Sequence, residues 1–287
     1  MDLRQTLSEQ SGMEVYIVAT PIGNIEDITL RALRILKEVD LVAAEDTRNT
    51  QKLFSMLDIN TKLTSLHEHN EKEKSAYLVE LVLSGKKIAV VSDAGTPLVS
   101  DPGYRFIEEG LKKGIRFVPV PGVSAVTALA SVSGFFAGKF AFFGFFPSKE
   151  SLRNKVLDEL ENSDYPIMFF ESPKRIVKTL GEIIEKKGDR KGVLGRELTK
   201  IYEEVIRGNL SEIIEILLEK EKIKGEICFF VEGGIKKSQE IDLEKIIMDK
   251  LSSSKKKSRE IAGEIAGEYN LKKNEIYNLI LKVSGKK

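Results

Sequence analysis

The sequence has little cysteine and little histidine, no large excess of either charge, and no apolar run long enough to cross a bilayer. Each absence excludes something. A single cysteine, Cys228, rules out an internal disulfide and a cysteine-rich zinc site. It lies in the apolar run EICFFVEG, which predicts a buried strand cysteine rather than a nucleophile, and a reducing compartment fits. A formal net charge of +1 gives no global electrostatic case for nucleic acid, so any basic partner surface must be local. The most apolar stretch, FAFFGFFP, is far too short for a membrane span and reads as a buried strand entering a turn. The first twelve residues, MDLRQTLSEQSG, lack the apolar core of a secretion signal. These features predict a cytoplasmic protein with no membrane partner.

Familiar phosphate and nucleophile motifs are missing too. There is no G-x-x-x-x-G-K-[ST] loop, no G-x-G-x-x-G after a strand and no G-x-S-x-G elbow. His67 and His69 flank Glu68, but a polar loop accounts for them, and no metal site is expected.

What is present is a chain of 287 residues, 41% hydrophobic and 31% charged, enough for two domains with real cores. Short apolar runs alternate with helix-period segments. Strands are expected at Val15–Ala19, Leu41–Ala44, in KKIAVVSDAGTP and in IRFVPVPG. Helices are expected at Thr29–Val39 (with Leu30, Leu33, Ile35, Leu36 and Val39 toward a core), after Glu45, at Ala76–Ser84 and in DPGYRFIEEGLKKG. Such alternation argues for a parallel sheet covered by helices. A small-residue helix, VSAVTALASVSG, leads into a second series of helices and strands that ends near Gly234. The expected division is an N-terminal α/β domain at 13–120, a second α/β domain at 121–235, a linker at 236–251 and a basic tail at 252–287. The tail carries nine Lys/Arg against four Glu, a net +5. Ile261, Ala262, Ile265, Ala266 and Tyr269 share one helical face, with Asn270 as a stop, and Ile276, Leu279, Ile280 and Val283 share another. The tail is therefore a small helical unit whose basic face is either simply solvated or suited to nucleic-acid phosphates.

Six loops follow apolar runs and are rich in Gly, Pro, Asp, Ser and Thr: 20–27, 44–48, 92–103, 121–125, 169–175 and 195–200. In an open parallel sheet, loops at the carboxyl ends of strands line the ligand crevice, so all six are expected to open on one cleft between the domains. Asp93 stands at a strand tip, where a carboxylate can accept ribose hydroxyls; the competing reading is a helix cap. For Asp101, before Pro102, the cap is the preferred reading. Asn24 or Asp27 is expected to cap the first helix.

Five stretches carry a resemblance: ATPIGNIEDITLRALRILKEVDLVAAEDTRNTQKLF, SDAGTPLVSDPG, PGVSAVTAL, FFESPKR and RELTKIYEE. In this order they resemble the ribosomal RNA small subunit methyltransferase I family, a branch of the tetrapyrrole methylase superfamily, over roughly residues 13–235. The resemblance implies a two-domain α/β tetrapyrrole-methylase-like fold with mainly parallel sheets, S-adenosylmethionine bound between the domains, and a homodimer. It implies 2′-O-methylation of a cytidine in the decoding region of 16S rRNA, with the small ribosomal subunit as partner. The porphyrin-precursor branch carries a G-x-G-P-G-D loop where this chain has Thr20-Pro21-Ile22-Gly23-Asn24, a departure that argues against a tetrapyrrole substrate. A non-catalytic RNA-binding assembly factor on the same fold is the reading from another class.

Carried over by position, Asp93, Ala94, Gly95, Thr96, Ser124 and Ala125 are expected at the ribose or methionine part of the cofactor. Phe170 is expected beside the adenine, with Leu194 and Gly195 completing that pocket. Pro21 and Gly23 are expected to border the transfer centre, Gly23 allowing a sharp turn close to the ligand. Methyl transfer to a ribose hydroxyl needs a base, and no histidine lies in these motifs. The strand-end acids Glu45, Asp46, Glu171 and Glu197 are the candidates, with Glu197 and Asp46 preferred. Arg48, Lys52, Lys174, Arg175, Arg196 and Lys200 are the candidate RNA contacts.

Overall fold

A computed structural model describes residues 13–134, 138–234, 243–254, 256–269 and 272–284. The first strands follow the alternation read from the sequence: β1 (Glu14–Val18), α1 (Leu30–Glu38), β2 (Leu41–Ala44), α2 (Thr47–Met56), β3 (Leu63–Ser65), α3 (Glu71–Leu83), β4 (Ile88–Val91), α4 (Tyr104–Lys112) and β5 (Arg116–Val120). They form a wholly parallel sheet in the order β3-β2-β4-β1-β5. Its strands read as continuous apolar runs because both faces are covered. Tyr16, Val18, Val42, Ala89 and Val91 pack with Ile35, Leu36 and Phe54 of α1 and α2 on one face. Val15, Ala43, Ile88 and Val90 pack with Leu78, Val82 and Phe106 of α3 and α4 on the other.

This winding fixes where a ligand can enter. The chain leaves β1 toward one face and leaves its neighbour β4 toward the other. Loops after adjacent strands that diverge in this way leave a crevice at the carboxyl edge of the sheet. Local chemistry sets the helix starts. Asn24 caps only the short 3₁₀ turn Ile25–Asp27. The cap of α1 is Thr29, whose hydroxyl accepts from the Ala32 amide at 3.0 Å, in place of the expected Asn24 or Asp27. With the helix so placed, Leu30 points outward and is exposed, while Ala32, Ile35 and Leu36 are buried.

The second half comprises α5 (Ala125–Val132), β6 (Ala141–Phe145), α6 (Glu150–Asn162), β7 (Ile167–Glu171), α7 (Ile176–Lys187), β8 (Lys191–Arg196), β9 (Glu204–Asn209), α8 (Leu210–Leu218) and β10 (Ile227–Val231). The sheet order is β6-β7-β10-β8-β9. The α/β class holds, but this sheet is mixed rather than mainly parallel. Only β6 and β7 run parallel; β7–β10, β10–β8 and β8–β9 are antiparallel. The β8–β9 connection is a hairpin with no helix in it, so no parallel crossover is possible there. Phe169, Leu194, Ile206 and Phe229 face α6, α7 and α8. Met168, Val193, Cys228 and Phe230 face the other way, onto α5 and Ile22. Residues 13–134, 138–160 and 165–233 make one compact unit.

The second unit comprises residues 161–164 with the described residues beyond 233. It contains α9 (Leu243–Ser253), α10 (Ser258–Tyr269) and α11 (Lys273–Val283). Residues 243–251, expected as linker, therefore belong to a helix. Ile247 packs with Ile261, Ala262, Ile265, Ala266, Ile276 and Ile280, so the tail has a core of its own built from three helices. The expected stop Asn270 lies outside the described residues. Among the described residues no helix is long and apolar enough to cross a membrane.

Candidate methyl-transfer site

The carboxyl edge of the parallel sheet opens on a cavity of about 420 Å³. Each of the six strand-end loops supplies part of its wall. Ile22 comes from the first loop, Glu45 from the second and Asp93 to Thr96 with Val99 to Asp101 from the third. Ser124 and Ala125 come from the fourth, Phe170 to Pro173 from the fifth and Leu198 from the sixth. Phe145 at the end of β6, and Gly225 to Cys228 entering β10, complete it. A second hollow, lined by Lys37, Asp40, Lys62 and Lys86 among others, lies at the amino edge of the same sheet, away from these loops.

Backbone pairing holds the loops in place. The Thr20 amide donates to the Gly95 carbonyl and the Gly95 amide to the Thr20 carbonyl, each at 2.9 Å. The Thr96 hydroxyl donates to the Val123 carbonyl at 3.2 Å, tying the third loop to the fourth. Gly95 has φ +80°, a conformation that L side chains rarely adopt. The 195–200 loop is strained at Glu197 (φ 51°) and Thr199 (φ 66°), on either side of cavity-lining Leu198. Strong bonds hold that strain. Glu197 Oε1 accepts from Lys200 Nζ and from the Glu226 amide, both at 2.9 Å, and the Thr199 amide donates to Glu203 Oε2 at 2.6 Å.

Asp93, Ala94, Gly95, Thr96, Ser124, Ala125 and Phe170 all line the cavity. Phe170 sits in an aromatic cluster, its ring 4.8 Å from Phe142 and 5.6 Å from Phe145. Four expected residues do not line it. Leu194 points into the opposite core, and Gly195 backs onto Leu129. Pro21 and Gly23 flank Ile22, which takes the wall position. Gly23 has an ordinary backbone conformation; its missing Cβ makes room for the Lys200 side chain, whose Cγ would lie 2.2 Å from it. Its close neighbour is thus another part of this chain.

The acids divide sharply. Asp46 caps α2, and Arg48 engages both of its oxygens, through the amide at 2.8 Å and the guanidinium at 3.0 and 2.6 Å. Those bonds hold its carboxyl down at about 2. Burial would raise Glu197, but hydrogen bonds from Lys200 and the Glu226 backbone, with the Lys200 and Arg196 charges, bring it below the ordinary range. Asp93 accepts from the Asp46 amide at 3.1 Å and from Asn49 Nδ2 at 2.9 Å, so its carboxylate steadies the 44–48 loop and also stands at the cavity wall. Asp101 is not a cap. The first amides of α4 are taken by Glu71 Oε1, from Gly103 at 3.0 Å and Arg105 at 2.9 Å, and Asp101 turns to the cavity. Burial raises its carboxyl, hydrogen bonds from Ser92 and Leu98 oppose, and the Asp93 charge adds to the rise. Glu45 is raised by burial first and then by the charges of Asp101 and Asp93.

The candidate RNA contacts divide as well. Arg48 and Lys174 are exposed, as is Lys52. Arg175 binds Glu171, Ser148 and the Phe146 carbonyl. Arg196 binds Glu204 and the Lys224 carbonyl, and Lys200 binds Glu197 and Glu226. These three brace the fold.

Among the described residues the walls thus carry Glu45, Asp93, Asp101, Glu171 and Glu226 and no lysine or arginine, beside apolar Ile22, Phe145, Phe170 and Leu198. An apolar cleft of this size with a few acids suits a cationic, ring-bearing small molecule. It suits phosphate poorly.

Two divergent loops at the switch point of a parallel sheet thus face a mixed second sheet across the cavity. The sequence profile described as Tetrapyrrole (Corrin/Porphyrin) Methylases matches residues 14–214. The solved structure of a diphthine synthase superposes with a TM-score of 0.60 at 18% identity, over 76% of this chain and 90% of that one, a likeness of fold. A protein of Halalkalibacterium halodurans named ribosomal RNA small subunit methyltransferase I is 40% identical over 274 residues, covering 92% of this chain and 93% of its own. The protein of that name from Thermotoga maritima is 46% identical over 220 residues, covering 77% and 98%. The chain belongs to the tetrapyrrole methylase family, in the branch of the ribosomal RNA small subunit methyltransferase I proteins. It is a methyltransferase that uses S-adenosylmethionine, as its sequence motifs imply.

Proposed function

We propose that the chain methylates the ribose 2′-hydroxyl of a cytidine in the decoding region of 16S rRNA, acting on the assembled small subunit as a cytoplasmic homodimer. The observation that carries the cofactor part is the cleft itself. Its walls are acidic and apolar, free of lysine and arginine among the described residues, and built from all six strand-end loops. S-adenosylmethionine brings a sulfonium, an ammonium, a carboxylate and an adenine. The acids suit the first two by charge. The carboxylate suits the amino end of α5, where Ser124 and Ala125 line the cleft and backbone amides stand unpaired at a helix start. The adenine suits Phe170, with Ile22 and Leu198 as further apolar wall.

The donor supplies an activated methyl group, so the chain's work is positioning, exclusion of water and removal of a proton. Val99 and Phe145 line the cavity yet are 46% and 59% exposed, so they sit at its mouth, where the target nucleotide must arrive. Arg48 and Lys174 supply exposed charge for phosphates, and the basic tail supplies more. A cytidine presented as an unpaired, accessible nucleotide in a folded particle fits recognition by shape better than recognition of duplex sequence. The test is transfer of labelled methyl to undermethylated small subunits and to naked 16S rRNA. Faster transfer to subunits is expected. Equal rates would remove the assembled particle from the proposal, and tight cofactor binding without transfer to either RNA form would point to a small-molecule acceptor.

A further inference from the structure

We propose that Glu45 is the base that takes the proton from the ribose hydroxyl as it is methylated. The proposal rests on the methyl-transfer reading above and names the group that performs one step of it.

Hydrogen bonds and ion pairs separate Glu45 from the other acids of the cleft except Asp101, which shares its wall. Asp46 is clamped on both oxygens by Arg48. Glu171 Oε1 accepts from the Ser172 amide at 2.7 Å; its Oε2 accepts from Thr179 at 2.6 Å and lies 3.1 Å from Arg175. Glu197 and Glu226 share Lys200. Asp93 receives Asp46 and Asn49, while Asp101 lies in the same cavity wall beside Ser92, whose hydroxyl donates to the Ala94 carbonyl. Glu45 stands at the tip of β2, half-buried in the cavity wall. Burial acts on it first, then the charges of Asp101, Asp93 and Asp46, all acids, against one hydrogen bond from the Asp93 backbone. Arg48, the nearest cation on its own segment, pairs with Asp46 and faces solvent. A carboxylate beside other carboxylates and away from cations holds a proton more readily than a free one, which brings its basicity nearer to working pH.

In the step, the hydroxyl proton passes to a Glu45 oxygen while the ribose oxygen forms a bond to the methyl carbon. The carbon–sulfur bond breaks and its electron pair stays on sulfur, leaving a neutral thioether. Glu45 then returns its proton to water.

The experiment compares the wild-type chain with Glu45→Gln, Glu45→Asp and Asp101→Asn in single-turnover transfer to undermethylated small subunits, from pH 5 to 9. Cofactor binding is measured by calorimetry, and the Glu45 carboxyl is titrated by carbon NMR in the ligand-free protein. Expected for Glu45→Gln are a rate about 10²–10⁴-fold lower, loss of the rising acid limb, and a loss of cofactor affinity much smaller than the loss of rate. Glu45→Asp should recover part of the rate, and the NMR signal should titrate above an ordinary glutamate. The proposal is overturned if Glu45→Gln keeps rate and limb, if its whole defect lies in cofactor affinity, or if Asp101→Asn alone removes the limb. A wild-type chain that transfers nothing to subunits would instead overturn the methyl-transfer reading, and the base with it.

Discussion

Thr20 and Gly95 exchange two backbone hydrogen bonds of 2.9 Å across the carboxyl ends of β1 and β4. This short bridge joins the two loops that leave the sheet in opposite directions, and it sets the floor of the cleft. Gly95 holds φ +80°, and a Cβ there would meet Ile22 Cγ2 at 3.3 Å. Gly95→Ala is therefore expected to cost about 1–3 kcal/mol of stability and to weaken cofactor binding. Thermal unfolding and calorimetry read the two effects. Unchanged values in both would show that the bridge does not shape the site.

Asp101 gives a pH prediction. Its carboxyl is raised in the folded chain, by burial first, against the Ser92 and Leu98 hydrogen bonds and with the Asp93 charge; Glu45 and Asp93 share the same wall. A raised acid favours folding when protonated, so its contribution is fully present below the unfolded value of about 4 and is lost as pH climbs through the folded value. Asp101→Asn should therefore raise the melting temperature of the ligand-free chain at pH 7, and the gain should vanish below about pH 4. A variant less stable than wild type at pH 7 would contradict this.

The arginines and lysines of the rim should separate by experiment. Lys174→Ala removes an exposed charge, so it should lower the salt dependence of RNA binding by about 0.7–1 in log–log slope and leave stability unchanged. Arg175→Ala breaks bonds to Glu171, Ser148 and Phe146, and Glu171 is 2% exposed. It should cost about 2–4 kcal/mol in urea unfolding. The reverse pattern would reassign both residues.

Cys228 lines the cleft but is buried, and burial with the nearby Glu226 charge pushes its thiol up to about 12. At pH 8 about one molecule in ten thousand carries the thiolate, so an aromatic disulfide reagent should react with the unfolded chain and scarcely with the folded one. Reaction of the folded chain at the rate of a free thiol would contradict the burial.

The legibility of the sequence follows from what each signal encodes. The parallel sheet was readable because each of its longer strands is an apolar run ended by a loop of Gly, Pro and Asp. The three-residue β3 was not, since Leu63, Thr64 and Ser65 carry no such run. The mixed sheet escaped because strand direction depends on the 197–203 turn, and its left-handed Glu197 and Thr199 are not turn residues by type. At the site, loop chemistry points to Asp93, and the family resemblance to Ala94, Gly95, Thr96, Ser124 and Ala125; all six line the cleft. Neither could give Ile22 over Pro21 and Gly23, or Leu198 over Leu194, because side-chain direction depends on register. Position in the sequence alone favours Glu197 and Asp46 as bases. Their partners, Lys200 and Arg48, lie only three and two residues away, yet nothing in sequence spacing says that they fold back.

The central claim is the identity of the atom that receives the methyl group. Undermethylated small subunits are incubated with the chain and labelled S-adenosylmethionine, and the rRNA is digested and mapped by mass spectrometry. The account predicts a single added methyl on the ribose 2′-oxygen of a decoding-region cytidine. A methyl on a base, on a ribose elsewhere, or on no nucleotide at all would contradict it.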